Sequence, residues 1–192
     1  MARKGDWIQV FSGGQFWPLD PRAEEIFLED VAHALSNLCR FGGHVPFYSV
    51  AQHSVLCFEH VTEEARKVGL LHDEIERLGA QALLHDATEA YLIDVPRPIK
   101  RNLVGYKEIE ERLAKVMGER FGFDLVNLPR EVLEADERML VTEKRDLLKP
   151  SPAPWTVAQG LSTTPYDRKV EPWDPPRAKR AFLEAAKTLG IR

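Results

Sequence analysis

Apolar residues recur every three or four positions along most of this chain, which is the spacing of one buried face of an α-helix. We therefore predict a mostly α fold, a compact bundle of five or six helices. The predicted helices cover residues 21–41, residues 49–61 with Ser49 as the N-cap, a central stretch that includes residues 81–94, residues 106–121 and 129–148, and a short closing helix near residues 182–189.

Two segments depart from the helical pattern. In residues 5–22, aromatic and β-branched residues flank Ser12-Gly13-Gly14, which predicts a small β-hairpin about a glycine turn. Residues 149–176 contain seven prolines and predict a long irregular loop. At 192 residues the chain has the length of one domain. We expect a hairpin (5–22), a helical core (23–148), and a proline-rich loop with a final helix (149–192).

Composition and charge exclude several classes of function. The 26 basic and 30 acidic residues give a net charge of −4, so no overall positive field attracts nucleic acid polymers or anionic membranes. We see no apolar run near the roughly 20 residues that span a bilayer, and no apolar segment of a signal peptide after the first residues. Cys39 and Cys57 lie in apolar helical patterns, as reduced core thiols do. We expect a cytoplasmic protein.

The central stretch carries more polar chemistry than a buried helix usually holds. His85 and Asp86 lie beside its apolar face, Glu89 follows one turn later, and Asp94 ends the run just before a segment with two prolines that should stop the helix. Taken alone, a His-Asp dipeptide is commonly a coincidence.

A second pair, His72-Asp73, provides a comparison within the chain. Asp73 followed by Glu76 has the spacing of an N-cap with its capping-box partner, so we interpret this pair as the start of the central helix. We interpret His85-Asp86 as the functional pair.

Two further polar residues stand where their helices should be apolar. His53 lies between Val50 and Cys57, and Asp136 lies on the stripe of the helix after Pro129. A buried carboxylate needs a hydrogen-bond partner, an ion pair or a cation. A single histidine on an apolar face is more often a satisfied core residue. In a compact bundle, however, the three helices would bring together two imidazoles and two carboxylates, a ligand set suited to one divalent cation: His53, His85, Asp86 and Asp136.

The order of these residues resembles the HD-domain metal-dependent phosphohydrolases. The runs His85-Asp-Ala-Thr-Glu89 and Asp94-Val-Pro-Arg-Pro-Ile-Lys100 resemble the branch of small bacterial 5′-deoxynucleotidases and phage and bacterial nucleotide triphosphohydrolases. The segments at residues 49–54 and 134–136 also fit this branch, and the resemblance covers residues 29–148. It implies a helical fold around one divalent metal ion: Mg, Mn or Co, with Fe or Zn left open.

The same resemblance implies roles for residues around the metal. Glu89 would be linked to catalysis and Asp94 would lie at the site, while Arg40 and Lys100 would hold phosphate. The ordinary alternative for Glu89 is a surface helix glutamate, and for Arg40 and Lys100 it is a solvated charge, which is the weaker alternative for Arg40 between Cys39 and Phe41. Phe41, beside Arg40, could stack on a base or pack in the core.

The expected function is that of a nucleotide phosphohydrolase that binds small-molecule (deoxy)purine nucleotides. The sequence leaves open whether phosphate or triphosphate is released and whether the chain forms a homo-oligomer. Two alternatives are the hydrolysis of a signalling nucleotide, such as an alarmone or a cyclic dinucleotide, and a non-catalytic nucleotide sensor. A sensor has no need of a water-activating group such as Glu89.

Overall fold

α-Helices dominate the structure and follow a two-stranded hairpin, as predicted. The computed structural model describes residues 3–153, residue 155 and residues 164–192. The strands are β1 (Ile8–Gln9) and β2 (Gln15–Phe16). The helices are α1 (Leu28–Asn37), α2 (Val50–Lys67), α3 (His72–Leu84), α4 (Glu89–Leu92), α5 (Arg97–Lys100), α6 (Tyr106–Phe121), α7 (Arg130–Leu147) and α8 (Pro175–Thr188). In the part of the chain that the structure describes, no helix combines the length and apolar character needed to cross a bilayer.

The hairpin is fixed to the helical body by its turn and its second strand. Asp30, which is buried in α1, accepts hydrogen bonds from the backbone N–H of Ser12 (2.7 Å) and from its hydroxyl (2.9 Å). The fully buried ring of Phe16 stacks on Tyr91 of α4 with 3.9 Å between ring centroids. The hairpin therefore supports α4 from the side of α1.

The first predicted helix is too long at both ends. α1 covers only Leu28–Asn37, because the chain before it forms a short 3₁₀ turn at Ala23–Glu25 and the chain after it becomes extended. Cys39 forms an isolated antiparallel bridge with Ser49, and the N–H of Arg40 donates to the carbonyl of Tyr48 (2.9 Å). A loop therefore carries Arg40 and the residue after it.

α2 and α3 pack closely and bring the two histidine-bearing segments together. A Cβ atom on Gly79 of α3 would lie 2.8 Å from Thr62 Cγ2 and 3.1 Å from the Phe58 ring, so only glycine permits this approach. α2 begins as predicted, because the hydroxyl of Ser49 accepts a hydrogen bond from the backbone N–H of Gln52 (3.2 Å).

The predicted cap at Asp73 is wrong. The N-cap of α3 is Leu71, whose backbone N–H donates to the carboxylate of Glu74 (3.0 Å), and Asp73 lies inside the first turn. The His72 side chain is 82% exposed and its Nε2 lies 3.2 Å from Glu76. His72-Asp73 is thus a surface pair, even though it does not cap the helix.

The central stretch is not one continuous helix. α3 ends at Leu84, His85 is its C-cap, and residues 85–88 turn before the short helix α4. Ile93 then has φ 60° and ψ 159°, a backbone conformation that essentially only glycine adopts. Pro96 and Pro98 also do more than end a helix, because Pro96 caps α5 and Pro98 lies in its first turn.

The described residues of the proline-rich segment (149–153, 155 and 164–174) contain no helix or strand; Pro154 and residues 156–163 of the predicted loop lie outside the described residues. Gln52 of α2 donates to the carbonyl of Glu171 and accepts from the N–H of Trp173, both at 2.8 Å. The N–H of Tyr166 donates to the Thr142 hydroxyl of α7 (2.9 Å). Residues 164–174 therefore cover the α2–α7 junction.

The apolar core lies on both sides of α2. The first group of apolar residues joins α2 to α1, α3 and α8 and extends to α6, and the second joins α2 to α7, to residues 164–174 and to Leu78 and Ala82 of α3. The first group includes Val31, Leu35, Val55, Leu83, Met117 and Phe182, and the second includes Tyr48, Leu56, Cys57, Ala135, Met139 and Tyr166. Polar residues interrupt the core where α2, the end of α3 and α7 meet.

Candidate metal centre

Two buried histidines face each other at this junction. His53 Nε2 lies 3.2 Å from His85 Nε2, and the two side chains are 0% and 4% exposed. The Nδ1 atom of each ring lies against an acceptor, the Glu143 carboxylate (2.6 Å) for His53 and the Ala82 carbonyl (2.8 Å) for His85. Each Nδ1 is therefore positioned to donate, and when both rings are neutral with the proton on Nδ1 the two Nε2 lone pairs meet. Only a cation or an added proton between them makes this arrangement stable.

The two predicted carboxylates complete the cluster. Asp86 Oδ2 lies 3.2 Å from His85 Nε2 and 3.7 Å from His53 Nε2. Asp136 Oδ1 lies 3.2 Å from His53 Nε2 and 3.9 Å from His85 Nε2. The structure thus brings together all four residues that the sequence analysis selected, from α2, the C-terminal end of α3 and α7.

A cysteine joins the cluster, which the sequence analysis had placed among the core thiols. Cys57 lies one turn after His53 on α2, and its sulfur is 3.6 Å from His53 Nε2. Donor atoms of His53, Cys57 and His85 all lie within 4.8 Å of one another, so this group could hold a metal ion. Its signal in the sequence was the i, i+4 spacing from His53.

The carboxylates of the cluster are held in their ionised form. Burial alone would raise the pKa of Asp136, but His53 and His85 lower it to about 2. Burial likewise opposes ionisation of Asp86, yet His85, His53 and Arg40 hold its pKa well below the usual range. For His53, burial and Arg40 lower the pKa, but Cys57, Glu143 and Asp136 outweigh them and raise it well above normal. The cluster therefore attracts positive charge.

Glu143 holds the His53 ring through the nitrogen that does not face the cluster. It is completely buried and accepts hydrogen bonds from His53 Nδ1, from the Tyr48 hydroxyl (2.7 Å) and from Arg40 Nε (3.3 Å). Burial raises the pKa of this carboxyl, but Arg40 and His53 reverse the effect and lower it. Glu143 was not among the site residues predicted from the sequence. Its position seven residues after Asp136 placed it on the same helix face.

Arg40 reaches the cluster from its loop. Its Nη1 lies 3.2 Å from Asp86 Oδ2, and the residue is 8% exposed, so its guanidinium links Asp86 to Glu143. Phe41 has a positive φ of 58° and lies half-buried, with its ring 6.2 Å from that of Trp155. Phe41 is therefore outside both core clusters, and its ring centroid lies 5.7 Å from the Arg40 guanidinium carbon.

A second arginine, missed from the sequence, lies on the open side of the cluster. Arg97 Nη2 is 2.9 Å from Asp136 Oδ2, and its Nη1 pairs with Glu137. The Arg97 side chain is 43% exposed. It belongs to the motif that runs from Asp94 to Lys100, from which the sequence analysis selected Asp94 and Lys100 but not Arg97.

Glu89 and Asp94 flank the cluster from α4 and the turn after it. Glu89 is buried, and its Oε2 has no hydrogen-bond partner among the described residues. Burial raises the pKa of Glu89 well above its usual range, and the charges of Asp86 and Asp94 add to the effect. Burial also raises the pKa of Asp94, to which Asp86 contributes while Arg40 opposes it.

Lys100 lies farther from the four donor residues than the other basic groups of the site. Its ammonium group pairs with Glu110 of α6 and lies 5.5 Å from the Tyr106 ring centroid. Its positive charge nevertheless opposes the rise in the pKa of both Glu89 and Asp94. Lys100 is thus close enough to act on these carboxylates electrostatically.

No protein-family model matches the sequence. The chain is 39% identical over 179 residues to the uncharacterized protein YfdR of Escherichia coli strain K12, an alignment that covers 93% of this chain and 92% of YfdR. It is 36% identical over 136 residues to the uncharacterized protein RCAP_rcc00048 of Rhodobacter capsulatus, covering 69% of this chain and 66% of that protein. The chain belongs to the same family as YfdR. Because both relatives are uncharacterized, any function has to be argued from the site.

Proposed function

We propose that the protein is a divalent-metal-dependent phosphohydrolase that acts on small nucleotides and releases phosphate or triphosphate. The observation that carries this proposal is the convergence of His53, His85, Asp86 and Asp136 from three segments, with histidine Nε2 atoms and aspartate oxygens 3.2–3.9 Å apart. The buried carboxyl of Glu89 lies in the same electrostatic neighbourhood.

The donor set fits a divalent cation. Two imidazole nitrogens with free lone pairs and two ionised carboxylates suit the borderline and harder divalent metals. When bound, such an ion supplies Lewis acidity and lowers the pKa of a coordinated water. Glu143 and the Ala82 carbonyl fix the orientation of the two rings, as the outer partners of metal-binding histidines commonly do.

Glu89 is the residue that we assign to proton transfer. A carboxyl with a raised pKa is a stronger base when ionised than an ordinary glutamate, and its Oε2 makes no competing hydrogen bond among the described residues. Asp94 is close enough to raise the pKa of Glu89, which supports our assignment of Asp94 to orienting water or substrate. Neither role would be needed in a protein that only senses nucleotides.

The basic residues provide for a phosphorylated substrate. The Arg97 side chain is half-exposed beside Asp136, and the positive charge of Lys100 is close enough to Glu89 to lower the pKa of its carboxyl. Arg40 is largely engaged by Asp86 and Glu143, so we assign it mainly to holding these carboxylates. Phe41 and Trp155 offer aromatic surface beside Arg40 for a base.

The test is a hydrolysis screen of the purified protein. Ribo- and deoxyribonucleoside mono- and triphosphates, an alarmone and a cyclic dinucleotide would each be incubated with Mg²⁺, Mn²⁺, Co²⁺ or Zn²⁺, and phosphate would be separated from triphosphate. We expect metal-dependent release from mono- or triphosphates that Asp86→Ala abolishes and Asp73→Ala retains. Absence of hydrolysis under all metals would refute the proposal, and hydrolysis of the alarmone or cyclic dinucleotide alone would transfer the site to signalling nucleotides.

A further inference from the structure

We propose that Cys57 is a ligand of the bound cation and makes the centre selective for thiophilic divalent metals such as Zn²⁺, Co²⁺ and Fe²⁺ over Mg²⁺. This inference rests on the metal centre of the proposed function, but its test requires no substrate. It changes the donor set from nitrogen and oxygen to nitrogen, oxygen and sulfur, a set that none of the sequence motifs indicated.

The distances around Cys57 fit coordination. With metal–nitrogen bonds of about 2.1 Å and metal–sulfur bonds of about 2.3 Å, a nitrogen and a sulfur ligand lie roughly 3.1 Å apart at a right angle and roughly 3.6 Å apart at the tetrahedral angle. The sulfur of Cys57 lies 3.6 Å from His53 Nε2. The two histidine nitrogens are 3.2 Å apart, between the roughly 3.0 Å and the roughly 3.4 Å that the same two angles give. The donor atoms of all three residues lie within 4.8 Å of one another, so one ion meets all three once the side chains move closer together.

The position of Cys57 on α2 makes this arrangement rigid. Cys57 is completely buried and follows His53 by one turn, so the helix itself fixes the spacing of nitrogen and sulfur. Its sulfur contacts His53 Nε2, the atom at the centre of the cluster. An ordinary core cysteine would be expected to face only apolar side chains.

Sulfur coordination has a consequence for metal choice. Thiolates bind Zn²⁺, Co²⁺ and Fe²⁺ far better than they bind Mg²⁺, which prefers oxygen ligands in an octahedral shell. Coordination releases the thiol proton to solvent, so that the sulfur adds one negative charge to those of Asp86 and Asp136. The centre then holds a thiophilic dication among three anionic donors.

The experiment is cobalt titration of the metal-free protein, followed by absorption spectroscopy. Co²⁺ bound to a thiolate gives a ligand-to-metal charge-transfer band in the near ultraviolet, whereas imidazole and carboxylate ligands give only the weaker visible bands. Cys39→Ser is the matched control, because Cys39 is the other free cysteine and makes no contact with the four donor residues in the described structure. Dissociation constants for Zn²⁺ and Mg²⁺ would be measured on the same proteins.

We expect the near-ultraviolet band in the wild type and in Cys39→Ser, saturating at one cobalt per chain. Cys57→Ser should keep the visible bands, lose the ultraviolet band, and bind Zn²⁺ at least about tenfold more weakly, the lower bound for loss of even an outer-shell partner. Its affinity for Mg²⁺ should change much less. A wild type that binds cobalt without the band, or a band that survives Cys57→Ser, would overturn the inference.

A folding defect in Cys57→Ser would leave the test intact. The band of the wild type and its retention in Cys39→Ser already assign sulfur coordination to Cys57. Zinc-edge X-ray absorption of the wild type would show a sulfur scatterer in the first shell, and its absence would count against the inference. If no metal binds to the wild type at all, the metal centre itself fails, which is a different result from binding without sulfur.

Discussion

His53 donates from Nδ1 to Glu143 across 2.6 Å, while Nε2 of the same ring faces His85, Asp86 and Asp136. One imidazole therefore joins the centre of the cluster to a carboxylate that is completely buried behind it. A histidine held in this way keeps its Nε2 lone pair free and aimed at the site.

Replacing Glu143 with glutamine should weaken metal binding without removing a metal ligand. The neutral amide holds His53 less firmly and no longer favours a single tautomer, so we expect a loss of roughly 10- to 100-fold in metal affinity. Calorimetric titration with Zn²⁺ would measure it. Glu119→Gln, an exposed substitution on α6, is the control and should bind like the wild type. Unchanged affinity in Glu143→Gln would mean that Glu143 serves only the packing of Tyr48 and Arg40.

The two His-Asp pairs should respond oppositely to mutation. His85→Ala or Asp86→Ala removes a donor from the cluster, so we expect loss of bound metal and of nearly all hydrolysis. Asp73 is exposed in the first turn of α3, where its charge interacts with the helix dipole by at most about 1 kcal/mol. Metal content by mass spectrometry and urea unfolding would compare the four single alanine variants. Equal metal loss from His72→Ala and Asp73→Ala would contradict the choice of His85-Asp86 as the functional pair.

Glu89 should destabilise the metal-free protein, and the size of this effect should depend on pH. Because its pKa is raised well above 4.5 in the folded state, ionisation is less favourable there than in the unfolded chain. The free energy of unfolding therefore falls as pH rises from the unfolded pKa through the folded pKa. Glu89→Gln removes this loss, so in chelator-treated protein its stability gain should be small below about pH 4 and larger at neutral pH. Urea denaturation at several pH values would measure it.

Glu89→Gln should also slow catalysis in the metal-loaded protein. In the metal-loaded protein, Glu89→Gln should keep the metal while turnover falls by roughly 10²-fold or more, which is typical for loss of a positioned acid or base. Glu119→Gln again serves as control for both measurements. A stability gain that is independent of pH, or a wild-type kcat, would show that Glu89 does not have the raised pKa or the role assigned to it.

Arg97 should affect substrate binding more than turnover. A guanidinium on phosphate oxygen contributes about 1.5–3 kcal/mol, so Arg97→Ala should raise KM for a nucleoside triphosphate by roughly tenfold or more while kcat changes only a few-fold. Arg101→Ala, an exposed change at the end of α5, should leave KM unchanged. Metal affinity must be measured in parallel. If it falls with the rise in KM, Arg97 acts by holding Asp136 and not by contacting phosphate.

A residue of the cluster could be predicted from the sequence where its type conflicts with the hydrophobic pattern around it. Asp136 was found because a carboxylate interrupts an apolar stripe, and α6 and α7 were found because that stripe is regular over four turns. The bounds of α1 were wrong, because the bridge between Cys39 and Ser49 is a tertiary contact that overrides helical periodicity.

The parts of the cluster that were missed have a physical reason in common. Glu143 contacts His53 and Tyr48 across 90 and 95 positions of sequence, which no local pattern encodes. Cys57 matched the apolar stripe, so its sulfur raised no conflict with the pattern. Arg97 lies in a motif where its neighbour Lys100 carried the expected charge, and only the folded chain brings it to Asp136.

The backbone at Ile93 separates the two carboxyls that flank the cluster, and it does so in a conformation that suits glycine. Its side chain is 61% exposed, so little packing offsets a cost of about 1–3 kcal/mol. Ile93→Gly would relieve this strain, but it would also allow the turn more conformations. The direction in which Asp94 leaves α4 is therefore determined by a residue that disfavours the turn it occupies. Substitutions that relieve the strain at Ile93 would be among the stabilising changes available to this protein. Their gain in stability would come with a less defined separation between Glu89 and Asp94.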